Sequence, residues 1–75
     1  MTTMMTLVNP TENKFWTIRF NVDSKRVLTV GGRLGTRGVP TRRTFDGHGR
    51  EEIRDYVDSR IETKVAKGFV RVCNS

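Results

Sequence analysis

Between residues 14 and 22 apolar and polar side chains alternate, with Trp16, Ile18, Phe20 and Val22 on one face and Phe15, Thr17 and Arg19 on the other. A period of two marks a half-buried strand, because successive Cβ atoms point to opposite sides of the pleat. Asp23-Ser24 supplies a turn, and strand character resumes from 25 to 31 through Val27, Leu28, Thr29 and Val30, so a β-hairpin is expected over residues 14 to 31. A third strand is expected over residues 39 to 45. Pro40 falls near its start, where a missing N–H is tolerated, and Val39, Thr41, Arg43 and Phe45 share one face. Ahead of the hairpin, Met4, Met5, Leu7 and Val8 define a short candidate edge strand near residues 4 to 8. It sits in an otherwise polar tail, residues 1 to 12, and the domain proper is expected over residues 13 to 75.

After Asp46-Gly47-His48-Gly49 the period changes. Ile53, Tyr56, Val57, Ile61 and Val65 recur at i, i+3, i+4, i+8 and i+12, which predicts an amphipathic helix from residue 50 to 67. Asp46, Glu51 and Glu52 complement the positive end of the helix dipole, Lys64 and Lys67 the negative end, and Gly68 is placed to stop the helix in a left-handed conformation. Phe69-Val70-Arg71-Val72 then returns as a short final strand. The pattern as a whole predicts an α+β fold: a small antiparallel sheet of about four strands with one α-helix packed on one face.

Charge changes this picture more than composition does. Fourteen Lys and Arg against eight Asp and Glu leave a net charge of +6 on 75 residues. The excess is concentrated: residues 14 to 43 hold eight basic side chains and one acidic one, whereas residues 44 to 75 hold six of each. A helix with balanced charges is a solvated outer face, while a sheet half almost without acids has the electrostatic character of a phosphate-binding surface. One cysteine, Cys73, excludes an internal disulfide, and its thiol has no assigned role. The first five residues lack the basic start and apolar core of a signal peptide, so a reducing cytoplasm is the expected location.

The strands are interrupted by Val30-Gly31-Gly32-Arg33-Leu34-Gly35-Thr36-Arg37-Gly38, with four glycines and two arginines. Glycine permits close approach of another backbone, and each arginine offers a planar fork of donors for phosphate or carboxylate. No Lys-Ser or Lys-Thr follows at P-loop spacing, Arg33 stands where G-x-G-x-x-G requires its first glycine, and the loop lacks the flanking helices of a KH clamp. Lys25, Arg26, Arg37, Arg42 and Arg43 are candidate phosphate contacts, whereas Arg33 is expected either to hold phosphate or to anchor its own loop. Trp16 belongs to the core face, and Phe15 is the candidate surface aromatic. Catalysis is not expected, because His48 stands alone in a glycine turn and one His with one Cys cannot complete a zinc site. No metal, cofactor or small-molecule substrate is expected.

Several stretches in order resemble the WGR domain, a module of poly(ADP-ribose) polymerases and of bacterial proteins. They are Asn13-Lys14-Phe15-Trp16, the loop Gly32-Arg33-Leu34-Gly35-Thr36-Arg37-Gly38, Thr44-Phe45, the helix positions Ile53, Val57, Ile61 and Lys64, and Gly68-Phe69. The resemblance spans residues 5 to 72 and implies an antiparallel sheet crossed by one helix, acting as a binding module rather than an enzyme. It further implies contact with DNA at strand breaks, where the name-giving tryptophan stacks on a terminal nucleotide. In this chain the signature loop reads Gly31, Gly32, Arg33, Gly35 and Gly38, so Gly31 occupies the tryptophan position and stacking of that type is lost. The Asp46-Gly47-His48-Gly49 connection is also longer than the family's usual one.

The leading expectation is a basic module that contacts nucleic-acid backbone, duplex DNA foremost, through its sheet and Gly/Arg loop with little sequence specificity. The alternative is a protein-interaction module or small inhibitor that docks the arginine loop on an acidic partner surface.

Overall fold

The computed structural model describes residues 2–72, and Cys73 lies outside them. Five strands and one helix follow in the order β1 (Thr3–Asn9), β2 (Lys14–Asn21), β3 (Arg26–Arg33), β4 (Val39–Thr44), α1 (Arg50–Ala66) and β5 (Val70–Arg71). The strands form one antiparallel sheet in the order β4-β3-β2-β1-β5, which establishes the α+β class.

Two expectations about the strands are corrected. The stretch near residues 4 to 8 is a seven-residue strand in the sheet interior rather than a short edge: it pairs with β2 along its whole length, and Leu7 and Val8 also pair with Arg71 and Val70. The reason is Leu7, which is fully buried between those partners. Secondly, the hairpin does not end at Gly31. Gly31, Gly32 and Arg33 continue β3 opposite Trp16, Phe15 and Lys14, so the irregular loop shrinks to residues 34 to 38. Glycine weakens a strand, but two neighbours that leave room for aromatic rings opposite them are compatible with ladder pairing.

Alternation along the strands assigns the faces. Leu7, Trp16, Ile18 and Val27 point to the helix and join Ile53, Val57, Phe45 and Phe69 in the core. The helix stripe is shorter than its sequence period: Ile53 and Val57 are buried, Tyr56 and Ile61 half-buried, and Val65 is 53% exposed. Val65 was expected in the core, but the sheet beneath the C-terminal turn is covered instead by Phe69, with Lys64 Nζ 5.3 Å from its ring and 5.6 Å from that of Trp16.

Gly68 ends the helix as expected, at φ +102°, and the Phe69 N–H bonds back to the Lys64 carbonyl at 3.1 Å. Buried Asn9 ties this end to the first turn: its Nδ2 donates to the Lys67 carbonyl and to Glu12 Oε2, both at 3.2 Å, and its Oδ1 accepts from the Glu12 N–H at 3.1 Å. A buried amide with three partners is satisfied and joins the β1–β2 turn to the helix.

The placement of Lys64 has a pH consequence. Burial foremost, then the charges of Lys67, Arg60 and Lys14, hold its pKa below the usual lysine value of 10.5. Around that window the unfolded chain binds the proton more tightly than the folded one, so the ammonium opposes folding at neutral pH and the opposition fades as pH rises toward 10.5. Thermal stability is therefore expected to gain more from alkalinisation in the parent chain than in Lys64→Gln, as read from melting curves collected across that range.

Candidate nucleic-acid interface

The sheet face turned away from α1 is open. Register and alternation place Met4, Thr6 and Val8 of β1, Phe15, Thr17 and Arg19 of β2, Arg26, Leu28, Val30 and Gly32 of β3, and Pro40, Arg42 and Thr44 of β4 on it. No Asp or Glu lies on this face. The acidic side chains belong to the two turns, Glu12 and Asp23, and to the helix and its approach. Of the eight basic residues between 14 and 43, Arg19, Arg26 and Arg42 lie on this face and leave it positive, whereas alternation places Lys14, Arg33 and Arg43 on the helix side.

The six candidate basic residues do not form one cluster. Arg26 and Arg42 lie on the open face at the β2–β3 turn end. Lys25 occupies that turn with φ +57°, and its carbonyl accepts the Phe45 N–H at 2.9 Å. Arg43, one residue from Arg42, points to the helix side as alternation demands, and its guanidinium carbon lies 5.3 Å from the Phe45 ring centre and 4.9 Å from that of Tyr56. Arg33 and Arg37 are at the opposite end of the sheet and exposed. Sequence reasoning passed over Arg19, which pairs across Leu28 with Arg42 and carries the open-face charge on β2. Its parity was visible in the alternation, but its neighbour two strands away required the strand order.

The loop at the far end folds back over the open face. Gly38 has φ +73°, and a Cβ placed there would lie 2.8 Å from Phe15 Cζ and 2.8 Å from the Gly31 carbonyl oxygen. Gly32 is equally constrained, since its Cβ would meet Gly38 Cα at 2.9 Å. Phe15 is thus half-buried under the loop rather than a free surface aromatic. The loop is closed by the Arg33 carbonyl, which accepts from the Thr36 hydroxyl at 2.8 Å and the Thr36 N–H at 3.2 Å. The Arg33 side chain makes no hydrogen bond or ion pair among the described residues, so it is not what anchors the loop.

Gly31, at the position of the signature aromatic, faces the helix side opposite Trp16, and a Cβ there would lie 3.3 Å from Trp16 Cδ1. The chain's single tryptophan is 4% exposed and packs in the space next to this glycine.

His48 Nδ1 meets Glu52 Oε2 one helical turn away, with both side chains exposed. No group of three or more His, Cys, Asp or Glu among the described residues is disposed to hold a metal ion. Among the described residues, no helix is long and apolar enough to cross a membrane.

A comparison with curated proteins returns no match. Among solved structures, the chain is similar to a Bacteroides fragilis protein of known crystal structure, with 26% identity and a TM-score of 0.72 over 97% of this chain. It spans 20% of that protein's length. The family model of the WGR domain matches residues 1–75. In poly(ADP-ribose) polymerases this module binds nucleic acid, and it is a binding or regulatory domain rather than a catalytic one. With the antiparallel sheet, the crossing helix and the closed Gly/Arg loop all in place, the chain belongs to the WGR domain family.

Proposed function

We propose that this domain binds nucleic acid, duplex DNA foremost, by its phosphate backbone and with little base specificity. The observation that carries this function is the acid-free open sheet face, which presents Arg19, Arg26 and Arg42, with Arg37 exposed in the Gly/Arg loop at the other end of the sheet and Arg33 exposed at the end of β3. Exposed guanidiniums without partners among the described residues suit phosphate contact, because they give up no bond there to make one. The absence of an aromatic at position 31 removes the stacking plate that reads a broken end, and Phe15 is covered by the loop.

The expected behaviour follows from counterion release. A surface that neutralises about four phosphates loses about 100-fold in affinity between 50 and 200 mM salt. Fluorescence anisotropy with a labelled duplex across that range checks it, and an open-ended duplex and a closed hairpin of equal length should bind alike. Affinity that is indifferent to salt, or the capture of a protein partner that persists after nuclease treatment while no duplex binds, contradicts the proposal.

A further inference from the structure

We infer that the groove at the β2–β3 turn end of the open face is a phosphate-binding subsite built by Arg19, Arg26 and Arg42, and that it is the principal anion site of the domain. This deepens the nucleic-acid function proposed above and rests on it for the source of the phosphate.

The groove has a volume of about 670 Å³ and runs across three strands. Arg19 on β2 and Arg42 on β4 flank Leu28 on β3 in one cross-strand row, and Arg26 stands in the next row with Asn21 and Thr44. Strands about 4.8 Å apart put the Arg19 and Arg42 backbones about 10 Å from each other, with the Arg26 row about 7 Å further along. All three arginines line this one groove together with Leu28, and side chains of arginine length can reach a common anion across such a triangle. Thr2, Asn21, Ser24 and Thr44 add polar groups to the wall, Arg43 adds a fourth guanidinium from the helix side, where it already lies over Phe45 and Tyr56, and among the described residues no carboxylate lines the groove.

Two features distinguish this cluster from an ordinary solvated surface. First, like charges on neighbouring strands repel one another, and here none of the three guanidiniums has a hydrogen bond or ion pair among the described residues to offset the repulsion. Secondly, the carboxylate nearest in sequence is committed elsewhere: Asp23 Oδ1 accepts from Arg50 Nη2 at 2.6 Å, which draws it toward the helix side. The electrostatic demand of the groove is left for an external anion. At the opposite end, Glu12 pairs with Lys14 at 3.2 Å and lowers the local charge beside Arg33. The open, trans-strand shape suits phosphates displayed in series along a backbone, and free polyphosphate carries the same chemistry.

The test uses the full chain and compares three double variants, Arg19→Gln/Arg42→Gln, Arg33→Gln/Arg37→Gln and Arg54→Gln/Arg60→Gln, against a short DNA duplex and against inorganic tripolyphosphate. Amide NMR spectra report that each variant keeps the parent fold. Expected is a loss of about tenfold or more in duplex affinity for the first variant, with the log–log salt slope reduced by about 2, and parent-like binding for the helix variant. Arg19→Lys, which keeps the charge, should retain most of the affinity. If the Arg33/Arg37 variant loses duplex binding while the Arg19/Arg42 variant keeps it, the subsite is overturned and nucleic-acid binding stands. If the parent binds tripolyphosphate through Arg19 and Arg42 but binds no duplex, the subsite stands and the nucleic-acid function falls. Binding of neither probe overturns both.

Discussion

Gly38→Ala is expected to destabilise the domain by about 3 kcal/mol or more, far beyond an ordinary surface substitution. Two costs combine. The residue sits at φ +73°, where an L side chain is strained, and its Cβ would lie 2.8 Å from both Phe15 Cζ and the Gly31 carbonyl oxygen and 3.0 Å from Val30 Cγ1. Neither the carbonyl oxygen, held in β3, nor the aromatic ring, held in β2, moves without disturbing the central strand pair. Gly35 is the internal control: it also has positive φ, +87°, but open space around it, so Gly35→Ala should cost only about 1 kcal/mol. Chemical denaturation of both variants separates strain from collision. Equal losses at the two positions would show that the loop does not clamp Phe15.

Leu7→Ala is expected to cost about 2–5 kcal/mol. At roughly 0.05–0.15 kcal/mol per residue, a domain of 75 residues holds about 4–11 kcal/mol in total, so this one truncation consumes a large part of it. Leu7 is fully buried and lies between Trp16 and Arg71 in the ladder, where a cavity has no neighbour free to fill it. Val39→Ala, at a residue 72% exposed on β4, should by contrast stay within about 0.5 kcal/mol. Urea midpoints measured for the pair decide whether β1 is a structural strand. A Leu7 variant as stable as the Val39 variant would return residues 1 to 12 to the status of a tail.

Local periodicity carried most of the fold. The alternation around Trp16, Ile18 and Phe20 marked β2, the 3.6-residue recurrence of Ile53 and Val57 marked α1, and Gly68 marked its end, each because one buried face imposes its own period on the chain. What misled were residues whose structural role is set by distant partners. Met4, Met5, Leu7 and Val8 form too short an apolar run to announce an interior strand, and only pairing with β2 on one side and β5 on the other makes them one. Gly31 and Gly32 carry a turn signal, yet the room they leave beside Trp16 and beneath Gly38 keeps them in β3. Val65 continues the helical stripe in sequence, but Phe69 has already covered the sheet at that end.

The candidate site divides in the same way. By itself the sequence determined the chemistry: an excess of basic groups confined to residues 14 to 43 and a glycine-spaced Arg33 and Arg37. The two neighbours Arg42 and Arg43, offered together as phosphate contacts, part to opposite faces in β4. Only the tertiary structure decided which charges meet. Arg19 and Arg42 are 23 residues apart in the chain and become same-row neighbours across Leu28 because β3 lies between β2 and β4. Register between strands is a property of the assembled ladder and of the core it buries, so a charge pattern read along one strand cannot specify its neighbours on the next.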